Sequence, residues 1–353
     1  MIDVDELLER MSLEEKCAQL AGVWFAEVAI DLVPDDERLA AVLEHGIGQI
    51  ARISAHTGEE PDRTAAFANR IQRHLVEDTR LGIPAIVHEE STGGFCARGA
   101  TQFPHGTGLA ATWDPGLVEE VGHAIGRQLR AVGARLTLAP VVDIARDPRW
   151  GRVEETFGED PELASRMAVG YVRGVQAEGV LCSLKHYVGY GASEGGLNWG
   201  WVSAGPRHVR DVLAAPFRAA INEAGAAAVM PSYNEIDGEA LHGSRALLTD
   251  LLRGELGFTG VTVADYFGVR SLVEFHHVAA DPADAARVAL DAGLDVELPS
   301  YDCYRALPAL VEAGVVSVDA IDASCRRVLA QKVELGLFED PYVDGDVAPA
   351  AFD

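Results

Sequence analysis

Asp265 follows Val261-Thr-Val-Ala264, a run of β-branched and small residues that reads as a short buried strand. A carboxylate there is badly placed for stability, because an unpaired buried charge is costly. In a barrel of alternating strands and helices, however, the carboxyl ends of the strands are where reacting groups sit. Other strand-like runs end in the same polar way. They deliver Glu89, Asp143, Lys185 with His186, Tyr233 and Glu297, and the charged loop beyond Asp143 adds Arg152 and Glu154. Trp113, Trp150, Trp199 and Trp201 lie in adjoining loops. Carboxylates accept hydroxyl protons, Arg and Lys donate, and indole faces stack. Such a ring suits a neutral polyhydroxylated ligand. One carboxylate within it is what a retaining glycosidase uses as its nucleophile.

Each residue also has a plainer reading. Lys185 is either a Schiff-base lysine or an ion-paired donor, and His186 alone is more often a satisfied core histidine. His88, Glu89 and Glu90 have metal-ligand chemistry, but neighbouring strand residues face opposite ways, so no metal and no cofactor is expected. Asp143 and Arg146 could form an ion pair beneath their loop, and residues 154–160 could be a solvated helix entry.

The elements that must position these groups alternate. Strand candidates are Leu20–Phe25, Ile47–Arg52, Ala85–His88, Leu136–Val142, Val180–Leu184, Ala226–Met230, Val261–Ala264 and Leu294–Leu298. Between them, Ser12 and Glu15 form a capping box, and Asp114-Pro115, Asp160-Pro161 and Asp281-Pro282 are helix starts. Gly133, Gly179 and Gly293 mark the corresponding ends, and a last helix is expected from about Ser317 to Leu335. The Gly-rich stretch from Gly189 to Gly205 reads as a mobile loop. Eight strands alternating with helices imply a single-domain α/β (β/α)8 TIM barrel. An open doubly wound sheet is the alternative, but it normally places a Gly-rich phosphate loop after its first strand, and none is visible there. The barrel is assigned to residues 1–337, and 338–353 read as an acidic tail, a linker cut short.

The 353 residues carry 29 Lys and Arg against 55 Asp and Glu, a formal charge of −26. That balance argues against nucleic acid and anionic membrane, which attract concentrated positive charge. Five scattered cysteines without CxxC spacing and an acidic amino terminus point to a cytoplasmic location.

The motifs go further than spacing. Pro140-Val-Val-Asp-Ile-Ala-Arg-Asp-Pro-Arg-Trp-Gly-Arg-Val-Glu-Glu-Thr-Phe-Gly-Glu-Asp-Pro161 closely resembles the signature of glycoside hydrolase family 3, the β-glucosidase and β-xylosidase family. Lys185-His186-Tyr187 with Gly189-Tyr-Gly-Ala-Ser-Glu-Gly-Gly-Leu-Asn198, then Val229-Met-Pro-Ser-Tyr233 and Val263-Ala-Asp-Tyr266, match in order. The resemblance spans about Ser12 to Tyr342 and implies the family's amino-terminal barrel.

It also implies roles. Asp265 matches the nucleophile, while Arg152, Lys185 and His186 match residues that hold the hydroxyls of the sugar in the −1 subsite. Tyr233 matches the tyrosine beside the nucleophile, Met230 lines the same wall, and Glu89 occupies the place of an acid that binds distal hydroxyls. Ala264 replaces the usual Ser before the nucleophile. Most such β-glucosidases carry their general acid/base on a second α/β sandwich domain, and the chain is expected to lack it. The minority branch with an Asp-His pair after Lys-His is not matched, so Glu194 is the one acid/base candidate in that loop. The expected function is hydrolysis of terminal non-reducing β-D-glycosyl residues from a small neutral β-glycoside or oligosaccharide. The alternative is a half-catalytic or non-catalytic sugar-binding barrel completed by a homo-oligomer or a second-domain chain. A Schiff-base lyase using Lys185 is the third reading.

Overall fold

The computed structural model describes residues 2–352. Seven strands run parallel in chain order: β1 (Gly22–Trp24), β2 (Gln49–Ala51), β3 (Ile86–Glu89), β4 (Leu136–Thr137), β5 (Leu181–Tyr187), β6 (Ala228–Pro231) and β7 (Val261–Thr262). Residues 296–297 close the ring, since Val296 bridges Val263 and Glu297 bridges Ala21. The Ala264 amide donates to the Val296 carbonyl at 2.8 Å, and the Gly22 amide donates to that of Glu297 at 2.9 Å. A sheet with sequential order and both edges joined is a barrel, so the open doubly wound alternative is excluded.

The regular strands are shorter or longer than their apolar runs suggest, for local reasons. The fourth is a regular strand only over Leu136–Thr137; the Leu138 amide still bonds the Glu89 carbonyl at 2.9 Å, Pro140 has no amide proton to add, and Val141 rejoins through a bridge to Lys185. The fifth continues to Tyr187, so Lys185 and His186 lie inside the strand rather than beyond it. The β5–β6 register shifts between Lys185 and Tyr187, and that irregularity breaks the alternation of faces.

The helices begin where their caps predict. Asp114 accepts from the Gly116 and Leu117 amides, Asp160 from Leu163 and Asp281 from Asp284, with Pro at the first turn each time. The Ser12–Glu15 capping box is formed in both directions. Helices Pro115–Ala131 and Pro161–Ala177 touch backbone to backbone through glycine. A Cβ on Gly174 would fall 2.1 Å from the Glu119 carbonyl, and one on Gly170 2.4 Å from that of Pro115.

Two segments outside the barrel strands also have defined contacts. The 189–205 loop contains short 3-10 turns at Tyr190–Ala192 and Glu194–Gly196, and its Trp201–Val202 strand pairs with Glu235–Ile236. The segment after the last helix (Val318–Glu334) lies against the barrel's outer helices: Asn69 exchanges two hydrogen bonds with the Val343 backbone, and Phe352 packs on Phe95. No helix among the described residues is long and apolar enough to cross a membrane. All five cysteines are free thiols, and only Cys96 is exposed.

Beside the β7 seam, Asp295 is fully buried. It accepts from Arg253 Nη2 (2.7 Å), Arg327 Nη2 (2.6 Å), Ser324 Oγ (2.8 Å) and the Thr262 amide (2.9 Å), joining β7, the closing segment and the last helix. Asp295→Ala would leave two guanidinium groups facing each other over an empty site, at a cost of about 3–5 kcal/mol. The expected result is a lower urea midpoint with an unchanged m-value. A loss below about 1 kcal/mol would mean that the seam does not depend on this acid.

Candidate active site

The strand ends converge on Asp265. Its Oδ1 accepts from the Tyr233 hydroxyl at 2.9 Å and the Tyr266 amide at 2.8 Å. Its own amide donates to His242 Nε2 at 3.1 Å. Oδ2 is itself buried, has no hydrogen-bond partner and lies 3.8 Å from His186 Nε2, while the side chain as a whole keeps 11% of its surface exposed. One oxygen is therefore fixed and the other is unpaired.

Around it stand two cations, each tied to an acid. Lys185 Nζ meets Glu90 Oε2 at 2.8 Å, and Arg152 forms a two-pronged pair with Glu155 at 2.6 and 2.7 Å. His186 donates through its backbone (2.9 Å) and its Nδ1 (2.8 Å) to Asp143 Oδ2, the carboxylate that sequence left as a potential partner of Arg146. The Tyr190 ring lies 5.0 Å from the His186 ring and 5.8 Å from the Arg152 guanidinium carbon, and Trp150 backs it at 4.9 Å.

Burial pushes the Asp265 carboxyl above its ordinary range. The charges of Lys185 and Arg152, then the bonds from Tyr233 and Tyr266, act against that rise. Burial also lifts the Tyr233 phenol, with the Asp265 charge adding to the rise, so the phenol stays protonated and donates. Burial, then the charges of Arg152 and Lys185, holds the His186 ring well below its usual value. Its neutral form carries the proton on Nδ1, which leaves Nε2 with nothing to donate to Asp265. Burial likewise lowers His242 to about 3, and because Nε2 accepts from Asp265, its proton sits on Nδ1.

Of the residues singled out from sequence, Asp265, Lys185, His186, Arg152 and Tyr233 come together, and buried Met230 sits opposite Lys185 in the β5–β6 register. Glu89 does not join them. Its Oε1 accepts from the Ser54 amide at 2.7 Å, and the acid that reaches Lys185 is its neighbour Glu90. Glu297 turns away, accepting from the Cys303 and Tyr304 amides. Glu154 is exposed while Glu155 pairs with Arg152. Glu194 is exposed and makes no ion pair or side-chain hydrogen bond with the group among the described residues.

His88 uses both ring nitrogens, on Gln49 Oε1 and the Tyr266 hydroxyl, so its ring is already committed. Sequence reasoning missed His242, for which Leu241-His242-Gly243 offers no signal, and missed Glu90 and Glu155 as partners of the two cations. A basic residue on a facing strand with two adjacent acids was the available clue.

Fold and centre together define a closed α/β barrel with the half-satisfied carboxylate of Asp265 among cations and aromatics at its mouth. Residues 12–331 match the glycosyl hydrolase family 3 N-terminal domain. The chain belongs to glycoside hydrolase family 3. It is 37% identical to a putative β-xylosidase of Formosa agariphila, over 97% of this chain and 46% of that protein. It is 34% identical to a periplasmic β-glucosidase of Salmonella typhimurium, over 96% of this chain and 43% of that protein. A solved β-glucosidase of Erythrobacter marinus superposes with a TM-score of 0.93 at 37% identity, covering 99% of this chain and 47% of that one. A β-glucosidase of Listeria innocua, solved with laminaribiose, gives 0.86 at 31% identity, covering 96% and 47%. The chain thus spans less than half the length of these relatives.

Burial raises the Glu89 carboxyl from 4.5 to about 7, with the Ser54 bonds and the Arg52 charge opposing. The folded chain therefore keeps this proton up to about pH 7, whereas the unfolded chain releases it near 4.5. Stability from this group is full below pH 4.5 and is lost as pH rises through 7. Between pH 5 and 8, Glu89→Gln should lose less stability than the parent, by on the order of 3 kcal/mol in urea titrations. Parallel pH profiles for the two proteins would contradict the burial of an ionisable Glu89.

Proposed function

We propose that this barrel is the glycone-binding and nucleophilic half of a retaining β-glycosidase of the β-glucosidase/β-xylosidase type. The observation that carries the reading is the unpaired, buried Oδ2 of Asp265 beside an Oδ1 already held by Tyr233 and Tyr266. A nucleophile needs one oxygen without a donor and a second that fixes its direction. Oδ2 would attack the anomeric carbon, the leaving oxygen would depart protonated, and water would then release the glycosyl group from Asp265. Lys185, Glu90, Arg152 and His186 are suited to hold sugar hydroxyls, since they offer charged donors and acceptors in a largely water-excluded recess. Glu90, rather than Glu89, is the acid proposed to bind the distal hydroxyls.

A retaining mechanism needs a second carboxyl about 5–5.5 Å from the nucleophile. Glu90 and Glu155 are engaged by Lys185 and Arg152, and Glu194 is outside the hydrogen-bonded group. We therefore assign the leaving-group proton to a carboxyl outside this barrel, on a second domain or a partner chain. The isolated chain should cleave aryl β-glucosides, whose leaving groups need little acid help. Disaccharides should react more slowly by about 10²–10⁴-fold, and formate should accelerate release of the glycosyl group. Equal rates on both substrates would place the acid inside the barrel, with Glu194 the first residue to replace. Asp265→Ala should show no turnover of either, and persistent turnover would refute the assignment.

Lys185→Met gives a second test, because the Lys185 charge lowers the Asp265 pKa. The acidic limb of kcat/KM for an aryl glucoside should move to higher pH in this variant. A limb that stays in place would mean that it reports a different group.

A further inference from the structure

A groove of about 670 Å³ is lined by Trp201, Glu194, Glu235, Asp237 and residues 202–206. Trp201 leaves 64% of its surface exposed, unusual for a side chain whose indole gains most from cover. A chain of contacts, aromatic as far as His276 and then a hydrogen bond to Glu235, runs from Asp265 to this groove. Tyr233, which donates to Asp265, lies 4.4 Å from Trp199, and Trp199 stacks on Phe275 at 4.1 Å with an interplanar angle of 1°. Beyond them His276 sits 6.1 Å from Trp199 and bonds Glu235 at 2.7 Å, and Glu235 pairs in register with Trp201.

We propose that this groove is a remote subsite for a neutral pyranose unit of an oligosaccharide, stacked on Trp201. This rests on the glycosidase reading of Asp265 and extends it. The flat Trp201 face would cover one side of the ring while Asp237 accepts from its hydroxyls. A compact cation fits less well. Glu235 is already bonded by His276, and Glu194 lies within range of the Arg149 charge, which is itself paired with Asp147, so among the described residues Asp237 is the groove carboxylate with no basic neighbour. The three-stranded sheet of residues 201–202, 235–236 and 239–240 holds Trp201 on ladder-paired backbone, as a preformed subsite requires.

The test is ligand titration of the full chain in the non-hydrolysing Asp265→Ala form, using glucose, laminaritriose and cellotriose. At least one trisaccharide should bind ten-fold or more tightly than glucose. Adding Trp201→Ala should remove most of that gain while glucose affinity changes less than two-fold, and Asp237→Asn should remove part of it. Raising salt from 0.05 to 0.5 M (roughly 14 to 4 Å of screening length) should leave the trisaccharide advantage in place. If glucose binds but the trisaccharides bind no tighter, or Trp201→Ala leaves their advantage intact, the remote subsite is refuted and the glycosidase reading stands. If an aryl-ammonium glycoside gains from the groove, in a salt-sensitive way, where no trisaccharide does, the site is cationic and the pyranose assignment falls. If no sugar binds at all, the glycosidase reading itself fails.

Discussion

Asp265 carries one carboxylate oxygen held from two sides and one held by nothing, in a setting where burial opposes ionisation. Most of what surrounds it can be understood as keeping that state tolerable. Lys185 and Arg152 favour the charge electrostatically without bonding to Oδ2, because each is committed to its own acid. His186 approaches Oδ2 but is kept neutral by burial and by those cations, with its proton turned to Asp143. His242 takes the Asp265 amide from below and so fixes the turn from which the side chain projects. Gly268 is part of that arrangement, since a Cβ there would fall 2.0 Å from the His242 Nε2.

Such a centre needs a rigid frame, because a displacement of about 1 Å in a reacting group can cost 10²-fold in rate. Ring closure provides it. The Ala264 amide, immediately before the nucleophile, bonds the closing segment, so Asp265 sits beside the last seam of the barrel rather than on a free loop. At β7 on the same seam, Asp295 gathers Arg253, Arg327 and Thr262. The same two stretches of chain, 261–266 and 294–298, thus carry both a structural acid and the proposed catalytic one. Breaking a buried ion pair by removing one partner is strongly destabilising, so Asp295 contributes most by holding its two arginines in place.

Much of this was legible in the sequence, and where it failed the reason is geometric. Apolar runs ending in Asp265, Lys185-His186 and Tyr233 marked the right strands, and Asp-Pro caps marked the helices, because both signals are local. Which of two adjacent residues faces the barrel mouth is not local. Strand alternation sends Glu89 and Glu90 to opposite sides without saying which reaches the mouth, and the structure turns Glu89 to Ser54 and Glu90 to Lys185. Glu297 looked like another strand-end acid but caps the turn at Cys303 and Tyr304, a use that depends on where the chain goes next. His242 comes from a turn after β6 and meets Asp265 only through the tertiary fold. The motif resemblance pointed to these residues as a set, and the tertiary fold decides their partners.

The most direct test of the central claim is the site of covalent capture. Incubating the chain with a dinitrophenyl 2-deoxy-2-fluoro-β-glucoside, followed by mass mapping of its peptides, should show one added fluoroglycosyl group on the peptide containing Asp265. Capture on Glu90, Glu194 or any other residue, or steady cleavage of an unfluorinated aryl glucoside by a chain that the fluorosugar never labels, would contradict it.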